Sequence, residues 1–246
     1  MPSVDILVPF HPDSPQRQRI WDFNRSVWET RDVTVVVGKD PKVKRRPFSV
    51  ARAINRAMEK STADFVMVFG SDHVPPTDNG LSDIVDRASH PKGFGWAIAF
   101  DGTRFVTTAG TDAIIDRGAP TSAVHLRTRA PMATGPTMVR RDLFIETGGF
   151  DERFESWGWE DTAFRRVLHL MAGPSIRPPA NFDLFSLHHP KGSRETTSVN
   201  GEIYQRDYAS LTSETVRDFL AERGSYLSMP APVAEPVVED SPPSVV

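Results

Sequence analysis

Ala63-Asp64-Phe65-Val66-Met67-Val68-Phe69-Gly70-Ser71-Asp72-His73 is the stretch that decides the architecture of this chain. Asp64–Phe69 is a short, nearly unbroken apolar run, the pattern of a strand covered on both faces. It ends in turn chemistry, Gly70-Ser71-Asp72. The same pattern stands twice upstream. Val33–Gly38 is a β-branched run, and Val4–Pro9 is another, closed by Pro9 and Pro12. Helices separate the three. Ser14-Pro15 offers an N-cap and a first-turn proline, and Ile20, Phe23 and Val27 continue at helical spacing to about Trp28. Ser49 caps a second helix with Val50, Ile54, Ala57 and Met58 inward. Strand, helix, strand, helix, strand predicts a parallel sheet with crossover helices.

Further on, Leu81–Ala88 predicts a short helix. Trp96–Phe100 and Arg104–Thr108 flank Asp101-Gly102, which predicts an antiparallel hairpin. Gly110–Arg129 reads as an irregular loop. Pro136–Arg140 is strand-like, Arg141–Thr147 is a short helix before Gly148-Gly149, and Trp159–Met171 is a helix with Phe164, Val167, Leu168 and Met171 on one face. Phe182–Leu187 is a late strand, and Ser213–Arg223 a helix stopped by Gly224. Five prolines and no aromatic residue in Ser228–Val246 predict a disordered, acidic tail, 228–246, behind a single domain, 1–227.

The composition, 39% hydrophobic and 25% charged over 246 residues, is that of a globular protein. The net charge is -3; without the three acids of the tail, 29 bases face 29 acids. A neutral body gives no electrostatic case for long nucleic-acid tracts. The absence of cysteine excludes disulfides, iron–sulfur clusters, thiolate zinc sites and cysteine nucleophiles. It fits a reducing compartment, and a cytoplasmic location is the expectation. No apolar run approaches the roughly 20 residues of a membrane span, and Met1–Phe10 has no signal-peptide pattern.

Three clusters carry residues suited to chemistry. Gly70-Ser71-Asp72-His73 lies at the carboxyl end of a strand, where open α/β sheets bind ligands, and its Asp and His can coordinate a divalent metal; the plainer interpretation is a turn. Trp157-Gly158-Trp159-Glu160-Asp161 opens a helix with two acids after two indoles. Helix capping explains the acids, whereas a carboxylate beside an aromatic wall suits a general base acting on a sugar hydroxyl. His188-His189-Pro190-Lys191 closes the late strand, and alternation along a strand sends only one of the two histidines to a shared site. Lys42–Arg46 is a basic loop, with phosphate contact as the alternative.

Taken together, these segments resemble a nucleotide-sugar glycosyltransferase of the GT-A fold, family-two-like, with an ending similar to the galactosyltransferase C-terminal type. The resemblance rests on Ile6–Phe10, Ala51–Ala57, Ala63–Asp72, Gly148–Phe154 and Trp157–Asp161. It implies a Rossmann-like, mostly parallel α/β sheet with flanking helices and a small antiparallel hairpin. About residues 1–110 would form the nucleotide-binding half and 111–227 the acceptor half. Pro9, Phe10 and His11 would lie along the base and ribose, Asp40 at the base edge, and Arg52 and Asn55 toward the donor, with Ser71 and Gly135 completing the donor set.

The resemblance also implies hexosyl transfer from a nucleoside-diphosphate sugar, UDP-linked, with inversion. Asp161 matches the catalytic base; Glu160, Trp157 and Trp159 would shape the acceptor site. Asp72 matches the second acid of the family's Asp-x-Asp motif and would hold Mn2+ or Mg2+ with His189, His188 being the alternative. Gly70 replaces the first acid, which sets metal dependence in question and leaves His73 as a substitute ligand. Gly110–Arg129 is a candidate acceptor lid. The acceptor class, a glycan, lipid, protein or modified base, is open, as is the oligomeric state. The rival interpretation is a catalytically inactive saccharide- or nucleotide-binding relative. A nucleotidyltransferase would need an early Gly-rich basic loop, and a Rossmann dehydrogenase a G-x-G-x-x-G; neither is present.

Overall fold

The computed structural model describes residues 2–40, 46–74, 80–90, 93–117, 126–131, 136–178, 182–189 and 196–228, with backbone alone at 80 and 126–131. The tail from 229 onward, Gly135, Pro190 and the lysines of the 42–46 run lie outside the described residues.

The first half follows the sequence closely. β1 (Val4–Pro9), α1 (Pro15–Glu29), β2 (Thr34–Gly38), α2 (Val50–Met58) and β3 (Phe65–Val68) alternate, and β1 pairs in parallel with both β2 and β3. Ser14 and Ser49 cap their helices by accepting from the backbone N–H of Arg17 and Arg52, an arrangement worth about 1 kcal/mol each. Ile54, Ala57 and Met58 of α2 pack with Ile6, Val8 and Met67 of the sheet. Gly38 is required by this packing: a Cβ there would stand 1.9 Å from the Ala53 carbonyl oxygen.

The remaining elements are β4 (His73–Val74), α3 (Gly80–Ser89), β5 (Trp96–Ile98), β6 (Gly102–Val106), α4 (Thr108–Arg117), β7 (Leu126–Pro131), β8 (Thr137–Arg140), α5 (Arg141–Glu146), α6 (Glu160–Ala172), β9 (Asp183–Ser186), α7 (Thr197–Asp207) and α8 (Val216–Arg223). They complete two sheets, ordered β2-β1-β3-β8-β5 and β4-β9-β6-β7. The first is mixed, because β8 runs antiparallel to β3 and β5.

Three expectations need correction. β5 and β6 do not form a hairpin across Asp101-Gly102. β5 pairs with β8 in one sheet and β6 with β7 and β9 in the other. The Asp101 N–H donates to the Phe182 carbonyl at 2.8 Å, so the Asp-Gly pair is a corner where the chain changes sheets. Gly110–Arg129 is not an irregular loop at its ends, since α4 covers 108–117 and β7 begins at Leu126. α7 was not expected at all. Among the described residues, no helix is long and apolar enough to cross a membrane.

Candidate active site

The β4–β9 ladder builds the first part of the site. Its register sets His73 opposite Ser186, and one further bond, Leu187 N–H to the Asp72 carbonyl at 2.9 Å, carries the pairing to Asp72. His189 is thereby brought to the Asp72 carboxylate, Nε2 to Oδ2 3.4 Å, with His73 Nε2 at 4.0 Å from the same oxygen. Ser186 Oγ also approaches Asp72, at 3.4 Å. Buried Asn24 of α1 donates to the Ser71 carbonyl at 2.6 Å and fixes the turn. Burial pushes the Asp72 carboxyl up, but the His73 charge and the His189 hydrogen bond and charge outweigh it and hold the group well below the usual carboxylate range. His188 faces elsewhere: Nδ1 is 3.1 Å from Thr108 Oγ1, and its N–H donates to Thr111 Oγ1.

A Cβ on Gly70 would stand 2.7 Å from His73 Nδ1 and 3.0 Å from Asp72 Oδ1. The room an acid at position 70 would need is taken by His73. That Nδ1 is buried with no hydrogen-bond partner among the described residues. A carboxylate with two imidazoles, one carrying an orphaned nitrogen, fits a divalent transition ion by donor chemistry. The set is not preassembled, since among the described residues no group of three His, Asp or Glu side chains stands at metal-binding geometry.

The donor-side residues divide. Asp40 is filled by its own neighbours, accepting from Arg52 Nε at 2.9 Å, Ser49 N–H at 2.9 Å and Arg46 Nη2 at 3.1 Å. Arg52 donates further to the carbonyls of Pro47 and Glu152. Asn55 is a clamp: Oδ1 accepts from the Phe150 N–H at 2.9 Å, and Nδ2 donates to the Phe150 carbonyl at 2.8 Å and to Glu152 Oε1 at 3.1 Å. Arg52 and Asn55 thus spend these polar groups joining α2 to the 148–152 turn. Phe10 is buried against Trp21, while Pro9 is half-buried at the strand end. His11 stacks on Phe48, 5.4 Å between centroids at 14°. Phe48 carries no signal in the sequence beyond its place between Pro47 and the Ser49 cap.

The third part is the corner before α6. Asp151 is buried and accepts from Arg153, from Tyr208 Oη at 2.8 Å and from Tyr226 Oη at 2.8 Å. Ser156 (φ 57°) and Trp159 (φ 73°) are left-handed without being glycine, and Gly158 has φ 108°. Such strain persists only where surroundings enforce it. Asn200 of α7 does so: its Nδ2 donates to the carbonyls of Glu155 (2.8 Å) and Gly158 (2.9 Å), and its Oδ1 accepts from the Glu155 N–H. Trp159 lies on Tyr204 at 5.0 Å, and Trp157 is 54% exposed. Glu160 is buried, with Oε2 unpaired among the described residues. Burial, and then the neighbouring Asp161 charge, push its carboxyl up to about 8. Asp161 is partly exposed, with Thr162 Oγ1 at 3.4 Å.

Residues 117–190 match the family model described as the N-terminal domain of galactosyltransferase, a span that holds the Trp157–Asp161 corner and both late histidines. No curated protein matches by sequence. Among solved structures, the catalytic domain of Drosophila beta1,4galactosyltransferase 7, in complex with xylobiose, aligns with TM-score 0.52 and 17% identity over 87% of this chain and 84% of that one. GalNAc-T7, solved with UDP, GalNAc and Mn2+, aligns with TM-score 0.53 and 10% identity over 91% of this chain and 54% of that one. The chain therefore has the GT-A glycosyltransferase fold, and its residues 117–190 match a galactosyltransferase family model.

Proposed function

We propose that the chain transfers a hexose from a nucleoside-diphosphate sugar, UDP-linked, to an acceptor hydroxyl, with inversion. The observation that carries this reading is the enforced corner of residues 156–161, which presents Asp161 at the first turn of α6 inside the family-matched segment. The acceptor oxygen bonds to the anomeric carbon as the bond to the diphosphate breaks. Asp161 takes the hydroxyl proton, and the nucleoside diphosphate leaves. Such general-base help is typically worth 10²–10⁴-fold. Trp157 and Trp159 offer flat walls to a sugar ring, and Glu160, kept neutral, offers a hydroxyl donor. The His11–Phe48 stack offers a surface for the base, with Arg52 and Asn55 holding the turn behind it. About 1–110 then serve the donor and 111–227 the acceptor.

Asp72, His189 and His73 would hold a Mn2+ or Mg2+ ion, which when bound offsets charge on the departing diphosphate. The Mn2+ and UDP found with GalNAc-T7 support this assignment. The lack of cysteine supports a cytoplasmic setting. Gly70 favours the second reading, a binding relative without turnover. The test is a thermal-shift series with UDP, GDP, CDP and dTDP, each with Mn2+, Mg2+ or EDTA, because a ligand of the native state raises its melting temperature. A UDP shift abolished by EDTA is expected, and NMR of the product should show an inverted anomer. No shift with any nucleotide rejects the transferase.

A further inference from the structure

Asp72 and His189 meet because the backbone leading to each is gripped by side chains from two helices. On the Asp72 side, the carbonyl of the Ser71–Asp72 peptide accepts from Asn24 Nδ2 of α1 at 2.6 Å, and that bond is buried. On the His189 side, the carbonyl of the His188–His189 peptide accepts from Gln16 Nε2 of the same helix at 3.0 Å. The His188 N–H donates to Thr111 Oγ1 of α4 at 2.8 Å. A peptide is planar, so a grip on its carbonyl or N–H restricts the direction in which the neighbouring side chain leaves the backbone. Arg19 of α1 bonds Asp112 and Asp116 of α4, which makes the two helices one frame behind the pair.

Thr111 is the telling residue of this frame. It is 1% exposed. It shares a helix face with Ile114, which lies in a small core with Ile20, Val74, Val106 and Leu187. Packing alone asks for an apolar side chain at such a position, and a buried hydroxyl costs stability unless it is bonded. Its bond goes to the residue before His189. We infer that Thr111 and Asn24 are positioning residues of the metal site, holding His189 and Asp72 through the backbone rather than acting as ligands. The inference rests on the assignment of Asp72 and His189 as metal donors. It also gives His188 a part, as the strut through which α4 reaches His189.

The test titrates MnCl2 into the full chain, with and without UDP, and follows free Mn2+ by electron paramagnetic resonance. UDP affinity is read in EDTA alongside. Thr111→Val removes the hydroxyl and keeps the shape of the side chain. It and Asn24→Ala are each expected to weaken Mn2+ binding about tenfold, as loss of a group that orients a metal ligand does. Thr111→Ser keeps the hydroxyl and should restore wild-type affinity, with UDP binding in EDTA the same in every variant. Lower melting temperatures with unchanged Mn2+ affinity would mean a merely structural role and overturn the inference. So would a Thr111→Ser protein as impaired as Thr111→Val. Should Asn24→Ala fail to fold, the Thr111 pair decides alone. A wild type that takes up no Mn2+ removes the metal assignment and the inference with it, a result distinct from variants that bind as the wild type does.

Discussion

Asp72 and Glu160 are both acids in the candidate site, and the fold drives them in opposite directions. Asp72 has two histidines against its carboxylate, and their charge and hydrogen bonding overcome burial, so it stays ionised. Glu160 is buried beside Asp161 with no such partner among the described residues, so its carboxyl is pushed up to about 8 and is neutral near pH 7. One region stores negative charge where a cation would sit. The other withholds it at the first residue of α6. Two acids with separated titration behaviour are the usual sign of divided roles.

The sharpest way to break this contrast is Asp161→Asn. Turnover should fall by about 10²–10⁴-fold with UDP affinity intact; wild-type turnover would remove the base assignment. Glu160→Gln addresses the neutral acid through stability. From its ordinary value of 4.5 up to about 8, the unfolded chain releases a proton that the folded chain keeps. Native stability therefore falls with rising pH over that window, by at most about 1.4 kcal/mol per unit. The Gln variant should match wild type near pH 4.5, pull ahead as pH rises, and level off above about 8 with a gain of a few kcal/mol. Denaturation midpoints that run parallel for the two proteins across this range would contradict the neutral Glu160.

Asp72→Ala should weaken Mn2+-dependent UDP binding by about tenfold, roughly 1.4 kcal/mol, while binding in EDTA stays as in wild type. Unchanged Mn2+ dependence would reject Asp72 as a ligand. The smallest effect is expected at the corner itself. Gly158→Ala forces a side chain into φ 108° and should cost about 1 kcal/mol or slightly more, read as a lower unfolding midpoint.

The two regions also differ in how far the sequence revealed them. The Asp72 edge follows from strand patterning, because β1, β2 and β3 are local apolar runs whose ends define the ligand edge. That His189 rather than His188 faces Asp72 follows from the β4–β9 register, a long-range fact. The α6 corner was legible in its residues but not in what holds it. Asn200 clamps the corner from α7, a helix whose single buried residue is that asparagine, so no apolar period announced it. Asn55, which the sequence offers as a donor contact, is bonded to Phe150, a partner 95 residues away that no local pattern announces. The Asp-Gly pair at 101–102 carried a true turn signal, but the strands around it found other partners, with β9 arriving from 81 residues downstream.

The return of the chain's later residues onto the 148–159 segment bears on the order in which the protein is made. The Tyr226 N–H donates to the Gly148 carbonyl, the Tyr226 hydroxyl to Asp151, and Leu227 stands over Gly149. On the ribosome, the segment bearing Asp161 emerges before Asn200, Tyr208 and Tyr226, the residues that shape it. A nascent chain halted short of Asn200 would possess the five strands of the larger sheet while the corner of residues 156–161 still lacked the clamp that holds it.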